Sequence, residues 1–319
     1  MSSAVAECSL PGIEVVDLGT IKPADLDDLW QQEVQWWRER LLWDVSNAFA
    51  ALRRVLERGG LPGKAVRAGA RTVGYEYYMI AGGFAVIPGL YVSPDGGGTG
   101  AGRTLLKETV DDIRRKGVRR VQSQFVSIDC PWLTPAFERE GFRTDWREFL
   151  RLELRRPRAP VRSLPMLHLE PWQGTHLREA AAIMQAAYNG EADAQINELY
   201  RTSDGCQVVL ENILHQGGCG IPIGEASAIA RHRGRGIGFV VVTEIAPRQG
   251  HLPQVAVLPE YQGRSIGRLL LDYSVSHLAA LQFDTLSLIV SRSNHRALTL
   301  YQSMGFESVL PFPVFTWER

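Results

Sequence analysis

The sequence predicts an α+β fold built twice, each time as a mixed, mainly antiparallel sheet flanked by helices. Three observations carry that prediction: an internal repeat, the same order of elements in both copies, and in each copy a glycine-bearing loop running from a strand into a long helix. The chain has 319 residues, and single hydrophobic cores tend to stop growing near ~250–300 residues. Two domains are therefore the natural reading.

The repeat is visible in two stretches. "PDGGGTGAGRTLL", Pro94 to Leu106, lies over "PEYQGRSIGRLLL", Pro259 to Leu271, so that Gly98 falls on Gly263, Gly102 on Gly267, Arg103 on Arg268 and Leu105-Leu106 on Leu270-Leu271, a shift of 165 positions. Farther on, "FEREGF" ends at Gly141-Phe142 and "YQSMGF" at Gly305-Phe306, a shift of 164. Two landmarks that keep register to one residue mark a tandem duplication. The basic, proline-rich "RRPRAPVRSLP", Arg155 to Pro165, has linker composition. The expected domains are 1–157 and 158–319.

Both copies read alike. An opening strand ("IEVVDL"; "MLHLEP") leads into one or two helices. Trp30, Trp36, Trp37 and Trp43 crowd that region of the first copy and read as packing rather than as a ligand box. A meander follows: "GKAVRAG", "RTVGYEYYMIAGG" and "FAVIPGLYVSP" in the first copy, "EASAIARHR", "GIGFVVVTEIA" and "LPQVAVLP" in the second, broken by turn signals such as "GRG" and "PRQG". After the glycine loop, Leu106, Val110 and Ile113, and likewise Ile266, Leu270 and Tyr273 to Ser274, recur at helical spacing. A strand ("RRVQSQFVS"; "DTLSLIVS"), a short helix ending at Gly-Phe and a final strand pair complete each copy.

Composition narrows the function classes. Thirty-five basic residues balance thirty-five acidic ones, which gives no argument for nucleic acid or a membrane surface as partner. An apolar content of 45% with 22% charged residues is that of an ordinary globular protein, and no apolar run approaches the ~20 residues of a membrane span. The start, "MSSAVAECSLPG", lacks the pattern of a secretory signal. Cys8, Cys130, Cys206 and Cys219 show no C-x-x-C pair and no zinc spacing. Reduced thiols, a cytoplasmic location and no metal are expected. Oligomeric state leaves no mark in the sequence.

The loop chemistry points to an anion. A strand, a proline, a glycine-bearing loop and a helix aim backbone N–H groups and the positive end of the helix dipole at one spot. As a P-loop the first copy fails, because Arg103 stands where a lysine must reach the terminal phosphates. As a dinucleotide fingerprint it offers only Gly96-x-Gly98-x-x-Ala101. The second copy narrows the choice. "VLPEYQGRSIGRLLL" with "NHRALTLYQSMGF" resembles the GCN5-related N-acetyltransferase (GNAT) superfamily: its acetyl-CoA motif corresponds to Gln262-x-x-Ser265-x-Gly267, and its later motif is matched by Asn294, Ala297, Tyr301, Gly305 and Phe306. The resemblance covers both halves. Ser265 departs from the family's first loop glycine and places a side chain near the phosphate approach; the first half keeps Gly100 and Gly102, with Gly97 at the Gln/Arg place.

The resemblance implies acetyl transfer from acetyl-CoA to a primary amine of a small molecule or peptide, without a covalent enzyme intermediate. Proximity and general acid–base chemistry then carry the rate. It makes Tyr301 the acid for the departing thiolate and Val255, Ala256 and Val257 the strand that receives the pantetheine arm and polarises the carbonyl. Leu258, Gln262, Gly263, Arg264, Ser265, Ile266, Gly267, Arg268 and Asn294 complete the cofactor cradle. The family's strand glutamate is missing from "HLPQVAV", so the base is His251, whose unperturbed pKa of ~6.5 suits the task, or Glu244 on the preceding strand. In the first copy Phe137 stands at the place of Tyr301, Cys130 at that of Asn294 and Leu133 at that of Ala297. That copy is expected to be catalytically silent. The rival readings are a protein N-terminal or lysine acetyltransferase and a non-catalytic acyl-CoA-binding regulatory module. The segment Asn189 to Gly224 is expected to form much of the acceptor pocket.

Overall fold

A computed structural model of the chain describes residues 12–94, 98–125, 131–155, 166–191, 193–194, 197–215 and 219–319. Gly96 and Gly97, Cys8, Cys130 and the proline-rich linker from 156 to 165 lie outside the described residues. The chain forms two compact α+β units: residues 1–146 with 312–319, and residues 147–311.

In the first unit, β1 (Ile13–Asp17) is followed by α1 (Asp27–Leu41) and α2 (Ser46–Glu57). The meander is β2 (Gly63–Ala68), β3 (Arg71–Ala81) and β4 (Phe84–Val92); α3 (Gly98–Arg115), β5 (Arg120–Gln124) and α4 (Leu133–Arg139) follow. β1 to β4 pair antiparallel in order, and β4 pairs parallel with β5. Asp27 and Asp28 open α1 and Arg38 and Arg40 close it, matching the helix dipole at both ends. Trp30 is buried in the core with Leu26, Leu29 and Tyr75, whereas Trp36, Trp37 and Trp43 pack edge-to-face on one another.

The second unit repeats the plan. β7 (Leu167–Pro171) leads to α5 (Leu177–Tyr188) and α6 (Ser203–His215), then to a two-residue strand β8 (Ile221–Pro222) that pairs with β10. The meander is β9 (Ala228–His232), β10 (Arg235–Ala246) and β11 (Gln249–Val257); α7 (Ile266–Ala280), β12 (Thr285–Ser291) and α8 (His295–Ser303) follow. The buried stripe of α7, including Leu270, Leu271, Val275 and Leu278, packs on the fully buried Val240 and Val242 of β10. Each such aliphatic burial contributes ~1.5–3 kcal/mol.

The expected closing strand pair is one long strand in each copy, β6 (Arg143–Glu153) and β13 (Glu307–Glu318). β6 runs through the division between the units: its residues Arg147 to Glu153 pair antiparallel with β12 in the second unit. Residues Val314 to Glu318 of β13 pair antiparallel with β5 in the first. The compact units therefore differ from the expected 1–157 and 158–319 at each copy's last strand. A linear boundary drawn at a linker does not register that exchange.

Candidate active site

In the second unit a parallel strand pair opens at one end. β11 and β12 pair from Gln249↔Thr285 to Leu252↔Leu288, and the next residue of β11 is Pro253. Proline has no N–H to give to a ladder. β11 continues to Val257 against β10 alone, and β12 continues to Ser291 against β6. The edge of β11 from Gln254 to Val257 is thus turned away from β12, where an extended chain can add itself as a strand. Ala256, Val257 and Leu258 are buried there and Val255 is half-buried.

The loop after β11 is braced from within. Leu258 N–H donates to the Ile237 carbonyl at 2.8 Å, and the Gln262 amide donates to the Val257 carbonyl at 3.0 Å. Arg296 of α8 donates to Gln262 Oε1 at 2.6 Å. Gly263 (φ +74°) and Ser265 (φ 61°) turn the backbone through the left-handed region, and Ile266 begins α7. A Cβ added at Gly267 would meet only Leu300 at 3.5 Å and Val257 at 4.0 Å, which is ordinary contact. The first turn of α7 is therefore uncrowded at Gly267, and the first N–H groups of a helix are of the kind that bind anions. Arg268 bonds Asp272 and Ser303, while the Arg264 guanidinium lies 5.6 Å over the Tyr261 ring.

Tyr301 sits on α8 and is 7% exposed, its ring tilted against Phe306 at 5.6 Å. Burial, with the Asp193 charge adding to it, pushes the phenol above its ordinary range, so it keeps its proton at neutral pH. Asn294, expected in the cofactor cradle, accepts the Ala297 N–H at 3.0 Å and caps the helix that carries Tyr301. Four further side chains that sequence reasoning missed belong to this region: Tyr188, Gln254 and Tyr200 in one hydrogen-bonded chain, and Asp193, whose charge acts on Tyr301. Tyr188 donates to Gln254 Oε1 at 3.1 Å, and Gln254 donates to Tyr200 Oη at 3.0 Å. Asp193 accepts from Arg147 at 2.8 Å and from Ser291 at 2.7 Å. Tyr200 and Asp193 come from the segment expected to form the acceptor pocket. Gln254 was legible as the amide nearest the loop on the strand before it.

Neither expected base joins this group. His251 lies in the paired part of β11, opposite Ser287. Ser287 donates to the Gly250 carbonyl at 3.1 Å, so its oxygen accepts the Nδ1–H of His251 at 3.0 Å. The ring stacks on Phe149 at 6.2 Å, and burial drives the imidazole down to about 3. A ring held neutral in this way is a poor proton acceptor. Glu244 stands at the other end of the β10–β11 hairpin, where it accepts the Arg248 N–H at 2.9 Å and pairs with Gly250. It closes a turn.

The first unit has the same strand opening and fills it. β4 and β5 pair from Phe84↔Arg120 to Ile87↔Ser123, and the next residue is Pro88. A Cβ at Gly102, the counterpart of Gly267, would fall inside the Trp132 ring; one at Gly89, the counterpart of Gln254, would fall inside the Tyr77 ring. Trp132 is buried with Leu90 and Phe125 in one apolar cluster. Phe137, at the place of Tyr301, stacks on Phe315 with ring centres 3.9 Å apart.

The Acetyltransferase (GNAT) family profile matches residues 197–306, and the Acetyltransferase (GNAT) domain profile matches residues 8–123. The chain belongs to the GNAT superfamily of N-acetyltransferases and carries two such domains in tandem, a layout resembling mycothiol synthase. A mycothiol acetyltransferase of Tsukamurella paurometabola is 39% identical over 88 residues, 27% of this chain and 30% of that one. A ribosomal protein bS18-alanine N-acetyltransferase of Salmonella typhimurium is 37% identical over 65 residues, 20% of this chain and 44% of that one. The chain thus spans less than half the length of these relatives. Among solved structures, a GCN5-related N-acetyltransferase from Sphaerobacter thermophilus superimposes with a TM-score of 0.71 at 16% identity, over 96% of this chain and 95% of that one. A tandem GNAT protein from the clavulanic acid biosynthesis pathway does so with a TM-score of 0.59 at 17% identity, over 96% and 98%. At these identities the likeness is one of fold. Among the described residues no helix is long and apolar enough to cross a membrane.

Proposed function

We propose that the protein transfers an acetyl group from acetyl-CoA to a primary amine, with the active site in the C-terminal copy and the N-terminal copy silent. The observation that carries this reading is the pair of strand openings: one is lined by Gln254, an open Gly267 and Tyr301, the other is filled by Tyr77, Trp132 and Phe137. Bound acetyl-CoA supplies an activated thioester. The residues present suit it: a strand edge from Gln254 to Val257, the N–H groups of Gln262 to Gly267, and a helix start with room at Gly267. Tyr301 Oη holds the proton that the leaving sulfur takes as the C–S bond breaks and the C–N bond forms. The nitrogen releases its own proton to solvent, from which the phenol is restored. The boundary of the duplicated copies stays at 157/158 in this reading, and use of acetyl-CoA favours a cytoplasmic setting.

The acceptor is a small molecule or a peptide terminus; the two kinds of relative act on mycothiol and on a ribosomal-protein alanine. Thiol release from acetyl-CoA is to be measured with L-cysteinamide, glucosamine, L-alaninamide, an alanine-initiated peptide and a lysine peptide. Amine-dependent release supports the transferase. Tight acetyl-CoA binding without release from any amine would instead indicate a regulatory acyl-CoA-binding module.

A further inference from the structure

Asp193 is the carboxylate whose charge acts on Tyr301, Tyr188 and Tyr200 together. Among the described residues both of its side-chain hydrogen bonds, from Arg147 and from Ser291, fall on Oδ1. A carboxylate has two oxygens and about four lone-pair sites, so this one has capacity for another donor. It is held rather than mobile: Ser291 is the last residue of β12, and Arg147 begins the part of β6 that pairs with it. Side chains of both Arg147 and Asp193 are 15% exposed, so the group is largely withdrawn from water yet reachable.

On top of burial, the Asp193 charge raises the phenols of Tyr301, Tyr188 and Tyr200, and the Arg147 charge opposes it at Tyr188 and Tyr200. Tyr188 and Tyr200 add two aromatic faces, 4.7 Å apart at their ring centres, and Gln254 fixes both hydroxyls. A largely desolvated carboxylate beside tyrosine faces is the chemistry that receives an ammonium.

We propose that Asp193 is the anchor for the acceptor's ammonium group, with Arg147 and Ser291 as the positioning residues that hold it beside Tyr301. The inference rests on the amine-transfer reading above. It also gives the N-terminal copy a role in the site, because Arg147 lies on that copy's last strand. The substrate class is a primary amine that arrives protonated and releases one proton to solvent before its lone pair attacks the thioester.

One cationic and one uncharged acceptor test the anchor. L-alaninamide is largely an ammonium at pH 7, and 2,2,2-trifluoroethylamine is largely uncharged. Asp193→Asn should raise KM for alaninamide about 10- to 100-fold, the worth of one charge-assisted hydrogen bond, with the acetyl-CoA Kd unchanged and trifluoroethylamine affected less than about threefold. Arg147→Met should act in the same direction and Arg147→Lys should recover part of the loss; should Arg147→Met fail to fold, Ser291→Ala gives the milder version. Equal loss with both amines would overturn the anchor. A calorimetric titration of acetyl-CoA-saturated protein with N-trimethylated alaninamide, a fixed and unreactive cation, needs no turnover. Binding to the wild type and about tenfold weaker binding to Asp193→Asn support the anchor; no binding to the wild type, or equal affinity for the two proteins, overturns it, even where amine transfer itself is observed. A protein that acetylates no amine sinks the transfer reading instead, and the titration still decides the anchor.

Discussion

The two units part the same strand pair at the same place, after Ile87 in one and Leu252 in the other, each followed by proline. What they do with the gap differs. In the first unit the ring of Trp132 lies against Gly102 inside a cluster with Phe125 and Leu90, and that of Tyr77 lies against Gly89 beside the cluster of Trp30 and Tyr75. In the second, Gln254 and an open Gly267 stand at those positions. The same helix-start glycine therefore has two different surroundings. Gly102 makes room for an indole of its own chain, whereas Gly267 has open space beside it, which the proposed acetyl-CoA site uses. A glycine-rich loop is evidence of close approach, and only the surroundings say by what.

Exchanging residues between the units should break this contrast if it is wrong. The largest effect is expected from Tyr301→Phe, which should lower the acetyl-transfer rate ~10²–10⁴-fold, the span of a positioned acid, with the acetyl-CoA Kd unchanged. Its mirror image, Phe137→Tyr, should add no activity and cost ~1–3 kcal/mol by urea unfolding, because the new hydroxyl lies unpaired among Phe125, Phe142 and Phe315. An unaltered rate in Tyr301→Phe would take the phenol out of the chemistry. Next, calorimetry on the wild type should give one acetyl-CoA per chain, and Gly267→Asp should weaken that binding at least ~100-fold by placing bulk and like charge on an anion site. Two equivalent sites would mean that the Trp132 plug yields.

Smaller effects sharpen the comparison. Gly102→Ala should cost ~1–3 kcal/mol of stability by overpacking against Trp132. Gly267→Ala should cost less than ~1 kcal/mol and show itself in acetyl-CoA affinity; equal stability losses would erase the distinction between plugged and open. His251 has Val86 as its counterpart. Its imidazole is depressed to about 3 in the folded chain against ~6.5 unfolded, so the unfolded chain binds more protons between those values. The stabilisation is complete above pH 6.5 and is lost as pH falls toward 3. Relative to His251→Val, the wild type should lose on the order of 1 kcal/mol between pH 6.5 and 5.5, and parallel pH profiles would show that the ring is not buried neutral. Finally, Ser265 adopts the left-handed backbone (φ 61°) where the first copy has Gly100. Ser265→Gly should raise the melting temperature slightly, by less than ~1 kcal/mol in stability, and a drop would mean that the serine side chain is itself bound.

The duplication, the strand meander and the glycine-bearing turn from strand to helix in the second copy were legible in the sequence, because each depends on local pattern or on the repeat. The base candidates were not. His251 reads as an available imidazole until Phe149, 102 positions earlier, is laid against it. Glu244 reads as a strand carboxylate until the turn it closes is seen. The cluster at Asp193 draws Arg147, Tyr188, Tyr200, Gln254 and Ser291 from separate elements, and no spacing along one element announces such a set. The last strands of the copies carry ordinary alternation, which says that a strand forms but not which edge it joins.

The crossing of those last strands has a consequence for synthesis. β5 acquires its antiparallel neighbour only from Val314 to Glu318, so the first unit keeps an open strand edge for the whole time that the second is being made. An unpaired edge invites wrong partners, and chains emerge from the ribosome at ~5–20 residues per second. The ~190 residues between β5 and its partner correspond to on the order of ten to forty seconds of exposure. The second unit has no such wait, since Arg147 to Glu153 are already outside when β12 appears. The copy made last can close first, and the copy made first is finished by the tail of its successor.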